Sequence, residues 1–470
     1  QNVMVGGRDE TGADLTCAMT HIVLDAFFET NDPQPALSVK LHAKTPEALY
    51  RSMGRFFFTP GHSTPSLLND DTIFEMLRGK GVADSDLPDY SIAGCQEPLI
   101  MGKASMNTTN TWLNLAKVLE LAANDGVSLI SGRKIGPSWE ETGFAGPEDV
   151  YENLEEAFYK TLDAILPRMR EAGNACTTLL GSEKPVPFTS AVMDGLHMWR
   201  DMRDPEKPGT RYNAGGCLIH GLAVVADSIH AVRRALASGL WGAADIRAAL
   251  QNNYEGYEDL RVFLEAQDKF GNNCDTVDET AARIANNVSD RVVALRNPAG
   301  SPYMADWSTP STHLLYGWWV GATPDGRMAR TMLNFGLDPR PETSRSSLPE
   351  RCLSAWKMPY LKMTGGYASH IGLRPGSEGT TLEERGVRLR DRVIAPLFRL
   401  GEGVKESPFY VYFNVDTPDH LRKVLEDPEK YAPGGVYILR IHGTFVNFLD
   451  LSPAIQEDII ARLGAGGNER

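Results

Sequence analysis

The sequence predicts an α/β protein, and three observations carry that expectation. Short apolar runs of strand length alternate along the chain with longer runs whose apolar residues recur at helical spacing. The chain has 470 residues, enough to bury a sizeable core, and an ordinary globular composition of 42% hydrophobic, 23% charged and 9% aromatic residues. No stretch approaches the roughly 18 consecutive apolar residues that a membrane helix needs.

Taken in order, a helix is expected over 14–29, broken by Pro33-Gln34-Pro35, and then a strand over 36–41. Thr45-Pro46 reads as a helix start, a capping residue followed by proline in the first turn. A buried strand is expected over Tyr90 to Ala93, running into Gly94-Cys95. Apolar spacing then predicts helices over 112–124, 150–172, 218–238, 243–251 and 279–294. The polar segment 339–351, rich in Pro, Ser and Arg, marks a change of character, and a soft boundary is placed near residue 345. Beyond it come a helix over 382–398, a strand over 409–415, a helix over 419–425, a strand over 436–441 and a terminal amphipathic helix over 452–463.

A net charge of -14 with no compensating Lys/Arg block argues against nucleic acid or an anionic membrane as partner. Residues 1–12 lack the basic-then-apolar pattern of a secretory signal. The six cysteines, Cys17, Cys95, Cys176, Cys217, Cys274 and Cys352, are widely spaced with no C-x-x-C pair. That spacing argues against a cysteine-rich metal site and reads as the reduced thiols of a cytoplasmic protein.

Two segments stand out, Gly94-Cys95-Gln96-Glu97-Pro98 and Arg440-Ile441-His442-Gly443-Thr444-Phe445, each at the end of an expected strand. Taken singly, the first reads as a core thiol beside a turn and the second as a bulge glycine. As a pair the segments resemble the two signatures of the glycyl radical enzymes, the group of pyruvate formate-lyase and its relatives. Further stretches resemble that family in the same order: residues 33–42, 221–234, Lys269-Phe270-Gly271-Asn272, Ala322-Thr323-Pro324-Asp325-Gly326-Arg327, and 390–462. The resemblance thus runs over nearly the whole chain.

The resemblance implies part of a ten-stranded α/β barrel over residues 1–345 and a glycine radical domain over 346–470. It implies that Gly443 stores a radical, that Cys95 becomes a thiyl that takes hydrogen from substrate, and that Glu97 acts as general base. The residue types suit these roles. A radical on Cα is stabilised when the centre flattens between amide nitrogen and carbonyl, which glycine permits because it has no side chain. A carboxylate two residues from the sulfur is placed to take a hydroxyl proton made acidic by an adjacent radical. No organic cofactor and no metal are expected on this chain. The radical is installed by a separate activating enzyme that uses S-adenosylmethionine and an iron–sulfur cluster, so anaerobic chemistry is expected.

Among lyases, radical elimination of water, an amine or sulfite from a small molecule is the first expectation, resting on Glu97. Arylacetate decarboxylation comes second and addition of a hydrocarbon to fumarate third. Formate-lyase chemistry is disfavoured, because Gly94 stands where that branch has a second cysteine. A non-catalytic subunit of a split radical enzyme is the reading from another class. The family's N-terminal half has no counterpart here, so a second chain or a further N-terminal part is expected to complete the barrel. The chain also departs from the family at Thr444, at His442 and over 362–370. His62 reads as a structural loop histidine. His313 and Trp318-Trp319 are candidates for a pocket lining, with core packing the commoner role for an aromatic pair.

Overall fold

The computed structural model describes the chain except residues 1, 33, 63, 95, 106–108, 310–311, 375–380, 442–443 and 466–470. It forms two compact units, one of Gln1–Met101 with Pro341–Arg470, the other of Gly102–Arg340. The first unit opens with strands β1 (Asn2–Gly6), β2 (Ala36–Leu41), β3 (Ser66–Asn69), β4 (Tyr90–Ala93) and β5 (Glu97–Ile100). The second holds β6 (Thr111–Asn114), β7 (Gly215–His220) and β8 (Tyr303–Trp307). The chain then re-enters the first with β9 (Gly366–Tyr367), β10 (His370–Leu373), β11 (Tyr410–Val415), β12 (Ile438–Ile441) and β13 (Thr444–Asn447).

In the first unit, β1, β2 and β3 run parallel, β11 lies antiparallel to β3, and β10 lies parallel to β11. The order is β1-β2-β3-β11-β10. All six residues of β2 and all six of β11 are buried, as expected for inner strands covered on both faces. Val39, Leu41, Leu67, Val411 and Phe413 of this sheet form one core with Leu49, Met53, Ile394 and Phe398 from the flanking helices. Burial of each such side chain contributes roughly 1.5–3 kcal/mol. Two antiparallel hairpins, β4–β5 and β12–β13, stand outside the five-stranded ladder.

In the second unit, β6, β7 and β8 are parallel. The helix Leu115–Ala123 follows β6, and the helix Leu222–Ser238 follows β7. Here the structure corrects two expectations. The run over 112–124 is a strand and then a helix, because Asn114 accepts a hydrogen bond from Lys117 N–H and so caps a helix that starts at Leu115. The run over 218–238 is divided by Gly221 into the end of β7 and a helix beginning at Leu222. Both are apolar enough to satisfy either period, and only strand pairing separates them. The helix expected over 150–172 is broken at Asn153 and continues as Leu154–Glu183. The first helix spans Ala18–Thr30, and Leu382–Leu389 passes through one π turn before Ala395–Phe398. No helix among the described residues is long and apolar enough to cross a membrane.

Candidate active site

The hairpin β4–β5 carries Glu97. Its register pairs Tyr90 with Ile100, Ile92 with Pro98 and Ala93 with Glu97. Proline has no N–H, so Ile92 and Pro98 form a non-hydrogen-bonded pair. Tyr90 shares that phase, and the carbonyls of Tyr90 and Ile92 therefore point away from β5. Side chains of β1 and β2 meet them there. Lys40 Nζ donates to Pro88 O at 3.1 Å and Tyr90 O at 2.6 Å. Asn2 Nδ2 donates to Ile92 O at 3.3 Å and Gly94 O at 3.2 Å. Burial lowers the Lys40 pKa, while the Asp70 and Asp89 carboxylates pull it back up. The Tyr90 hydroxyl adds a bond to Asp70 Oδ1 at 2.5 Å, and its ring lies under the ammonium at 3.9 Å.

At the hairpin tip, Gly94 has φ +55, and a Cβ there would meet Glu97 Oε2 at 3.3 Å. Glycine thus allows both the left-handed turn and the close seat of the carboxylate. Glu97 is buried, and its Oε2 accepts the Gln96 main-chain N–H at 2.9 Å. Gln96 is fully buried, and neither atom of its carboxamide has a hydrogen-bond partner among the described residues. Opposite lies Gly366, with φ +100, where a Cβ would stand 2.7 Å from Gln96 O. The stretch 362–370, noted above as a departure from the family, therefore packs its backbone on the loop that bears Glu97.

The hairpin β12–β13 pairs Arg440 with Phe445 and Ile441 with Thr444. The Asn414 carboxamide bonds both main-chain groups of Arg440: Nδ2 donates to Arg440 O, and Oδ1 accepts Arg440 N–H, each at 2.9 Å. The buried Arg440 guanidinium donates to Leu37 O at 2.8 Å and Thr64 O at 3.0 Å. Tyr437, just before β12, bonds through its hydroxyl to Asp416.

Of the three expected catalytic residues, Glu97 is described. Cys95 and Gly443 lie outside the described residues, as does His442. His62 is structural: Nε2 is 2.9 Å from Phe28 O, and its ring packs on Phe28. His313 is buried with its ring against Phe335. Trp318 and Trp319 are 52% and 55% exposed, so the pair joins no core; Arg330 covers the Trp318 ring instead. Among the described residues, no group of three or more His, Cys, Asp or Glu side chains is placed to hold a metal ion. Sequence reasoning missed Asn2, Lys40 and Asn414 as supports of the two hairpins. Lys40 had a legible signal, a cation inside the strand-length apolar run Ala-Leu-Ser-Val-Lys-Leu, where an unpaired charge is costly.

Residues 1–317 match the pyruvate formate lyase-like family. The trans-4-hydroxy-L-proline dehydratase of Clostridioides difficile is 26% identical over 463 residues, 98% of this chain and 56% of that enzyme. Among solved structures, a glycyl radical enzyme from Archaeoglobus fulgidus superposes with a TM-score of 0.87 at 27% identity, over 98% of this chain and 57% of that one. The glycerol-bound form of the B12-independent glycerol dehydratase from Clostridium butyricum gives 0.86 at 27% identity, over 98% and 56%. The chain thus spans a little over half the length of these proteins, and they lend no support to a second polypeptide completing the barrel. The fold is the α/β-barrel type of the glycyl radical enzymes, as the sequence led us to expect. The match over two thirds of the chain and the shared fold place it in the pyruvate formate lyase-like family, among the glycyl radical enzymes.

Proposed function

We propose that the protein is a glycyl radical lyase that eliminates a small leaving group from a small hydroxylated substrate. The observation that carries this reading is the buried Glu97 carboxylate, two residues past Cys95 on a hairpin held by its neighbours' side chains. Two of the similar proteins named above are dehydratases, and isethionate sulfite-lyases are similar at the same level of identity, which supports elimination without choosing between water and sulfite as the group lost.

In this reading, residues 346–470 act as the glycine radical domain. An activating enzyme removes one hydrogen atom from the Gly443 Cα. The Gly443 radical takes the hydrogen atom of the Cys95 thiol, leaving a thiyl. The thiyl takes a hydrogen atom from the substrate carbon that bears a hydroxyl. Glu97 accepts the hydroxyl proton, and the electron pair released expels the leaving group from the adjacent carbon, which departs with its bonding pair. The product radical then recovers a hydrogen atom from Cys95, and the regenerated thiyl recovers one from Gly443. The sum is loss of H–X with no net oxidation. The chemistry requires exclusion of oxygen, and the cytoplasm is the proposed compartment.

The test is an anaerobic electron paramagnetic resonance spectrum of the natively purified protein after treatment with its activating enzyme and S-adenosylmethionine. A doublet is expected, from spin on Cα coupled to the one remaining hydrogen, and Gly443→Ala should abolish it. A doublet that survives in Gly443→Ala would place the radical elsewhere and sink the assignment.

A further inference from the structure

We propose that Lys40, assisted by Asn2, is the positioning residue that sets the reach of the Cys95–Glu97 loop for hydrogen transfer. The inference rests on the glycyl radical reading above and adds to it a residue far from both signature motifs. Its basis is the outer edge of β4. Among the described residues that strand is laddered to β5 on one side alone, so the ladder supplies no donors to the carbonyls of its other edge. Four carbonyls in alternate positions, those of Pro88, Tyr90, Ile92 and Gly94, take their hydrogen bonds from two side chains. Lys40 holds the root of the strand and Asn2 holds its end, at the residue directly before Cys95.

The choice of lysine has a physical reason. An ammonium offers three donors on a flexible stem, which suits two carbonyls on one strand edge better than a planar guanidinium fork. Carbonyl dipoles, the Tyr90 ring and Asp70, whose Oδ1 accepts the Tyr90 hydroxyl, favour the charged ammonium against the cost of burial. Around the ammonium the charged groups are Asp70, on the helix after β3, and Asp89, at the root of β4. β5 holds one edge of β4 and these side chains hold the other, so their removal frees the hairpin to shift as a unit, whereas a strand with a ladder on both edges stays in register. Hydrogen transfer between thiol and glycine is steep in distance, and a misplacement of about 1 Å costs on the order of a hundredfold in rate.

The readout is hydrogen return to Gly443 in D2O. A thiol exchanges its proton with solvent, so a return from Cys95 delivers deuterium to the glycine Cα, and when the thiyl then takes back the protium the radical left on Cα–D gives a singlet in place of the doublet. Lys40→Met keeps the stem and removes the donors. In Lys40→Met the doublet should form in wild-type yield, while its conversion slows by about tenfold or more. Turnover number should fall by a similar factor with KM unchanged. Conversion and turnover both within about twofold of wild type would overturn the proposal. So would loss of the doublet together with the fold, if Asn2→Asp, which is isosteric and lacks the donors, then exchanged at the wild-type rate. A slowing of about threefold in Asn2→Asp supports it. If the wild type itself yields no doublet, the radical reading fails first and the positioning role falls with it.

Discussion

The two hairpins of the first unit are alike in form and opposite in how they are held. Each is a two-stranded antiparallel ribbon outside the main sheet. In β4–β5 the sheet supplies the donors, Lys40 and Asn2, and the hairpin supplies the carbonyls. In β12–β13 the hairpin supplies the donor, Arg440, and the carbonyls belong to Leu37 in β2 and to Thr64 just before β3. Asn414 from β11 then closes the arrangement by bonding the main chain of Arg440 on both sides. The second hairpin therefore carries its anchor within its own signature, while the first borrows its anchors from residues more than 45 positions away.

This contrast makes the two hairpins separable by mutation. The largest effect is expected at Glu97. Glu97→Gln keeps the size and the bond from Gln96 N–H but removes the proposed base, so turnover should fall by roughly 10²- to 10⁴-fold with the radical doublet intact. Steady-state kinetics beside spin counting would check it, and a wild-type rate would remove Glu97 from the chemistry. Arg440→Met should act the other way, on the radical before any substrate is present. It removes a buried charge-assisted donor from the carbonyls of Leu37 and Thr64, at about 1–3 kcal/mol each. A lowered denaturation midpoint and a reduced yield of doublet are expected together; a stable protein with full radical yield would contradict the anchoring role.

A smaller loss is expected for Asn414→Leu, which deprives Arg440 N–H and C=O of their partners while Arg440 itself stays anchored. About 2 kcal/mol of stability should go, read from chemical denaturation, with a partial loss of radical. If Asn414→Leu costs more than Arg440→Met, the guanidinium is not the main anchor.

The smallest effect on the radical chemistry belongs to the second unit and serves as the control. Burial pushes His220 down to about 3 from 6.5, so its imidazole stays neutral in the fold. The unfolded chain binds a proton below 6.5 and the folded one does not. The stability contribution of His220 is therefore whole above 6.5 and is lost as pH falls below it, by about 1.4 kcal/mol per unit until the folded value is reached. His220→Gln should flatten that part of the stability curve between pH 6.5 and 5. An unchanged slope would mean that His220 titrates normally.

The same contrast explains what was legible in the sequence. β2 was read over its observed residues, because Ser38 and Lys40 alternate with apolar residues across a segment of strand length. Arg440 stood out as part of a motif because anchor and motif coincide. Lys40 showed only that a buried cation needed partners, since those partners are carbonyls of residues 88 and 90, and carbonyls leave no mark in a sequence. The starts of the helices at Leu115 and Leu222 were hidden for a different reason. Strand and helix there share an apolar run, and the turn between them is fixed by Asn114 in one case and Gly221 in the other. Gly366 is a third kind of gap: a short loop glycine whose necessity appears only when Gln96 O is seen 2.7 Å from where a Cβ would lie.

The most direct test of the central claim is whether hydrogen passes between Cys95 and Gly443. The activated protein, held anaerobically in D2O, should convert its doublet to a singlet as deuterium from the Cys95 thiol reaches Gly443. Cys95→Ala should form the same doublet and keep it. Conversion at an equal rate in Cys95→Ala would show that the hydrogen comes from elsewhere, and would contradict the pairing of Cys95 with Gly443.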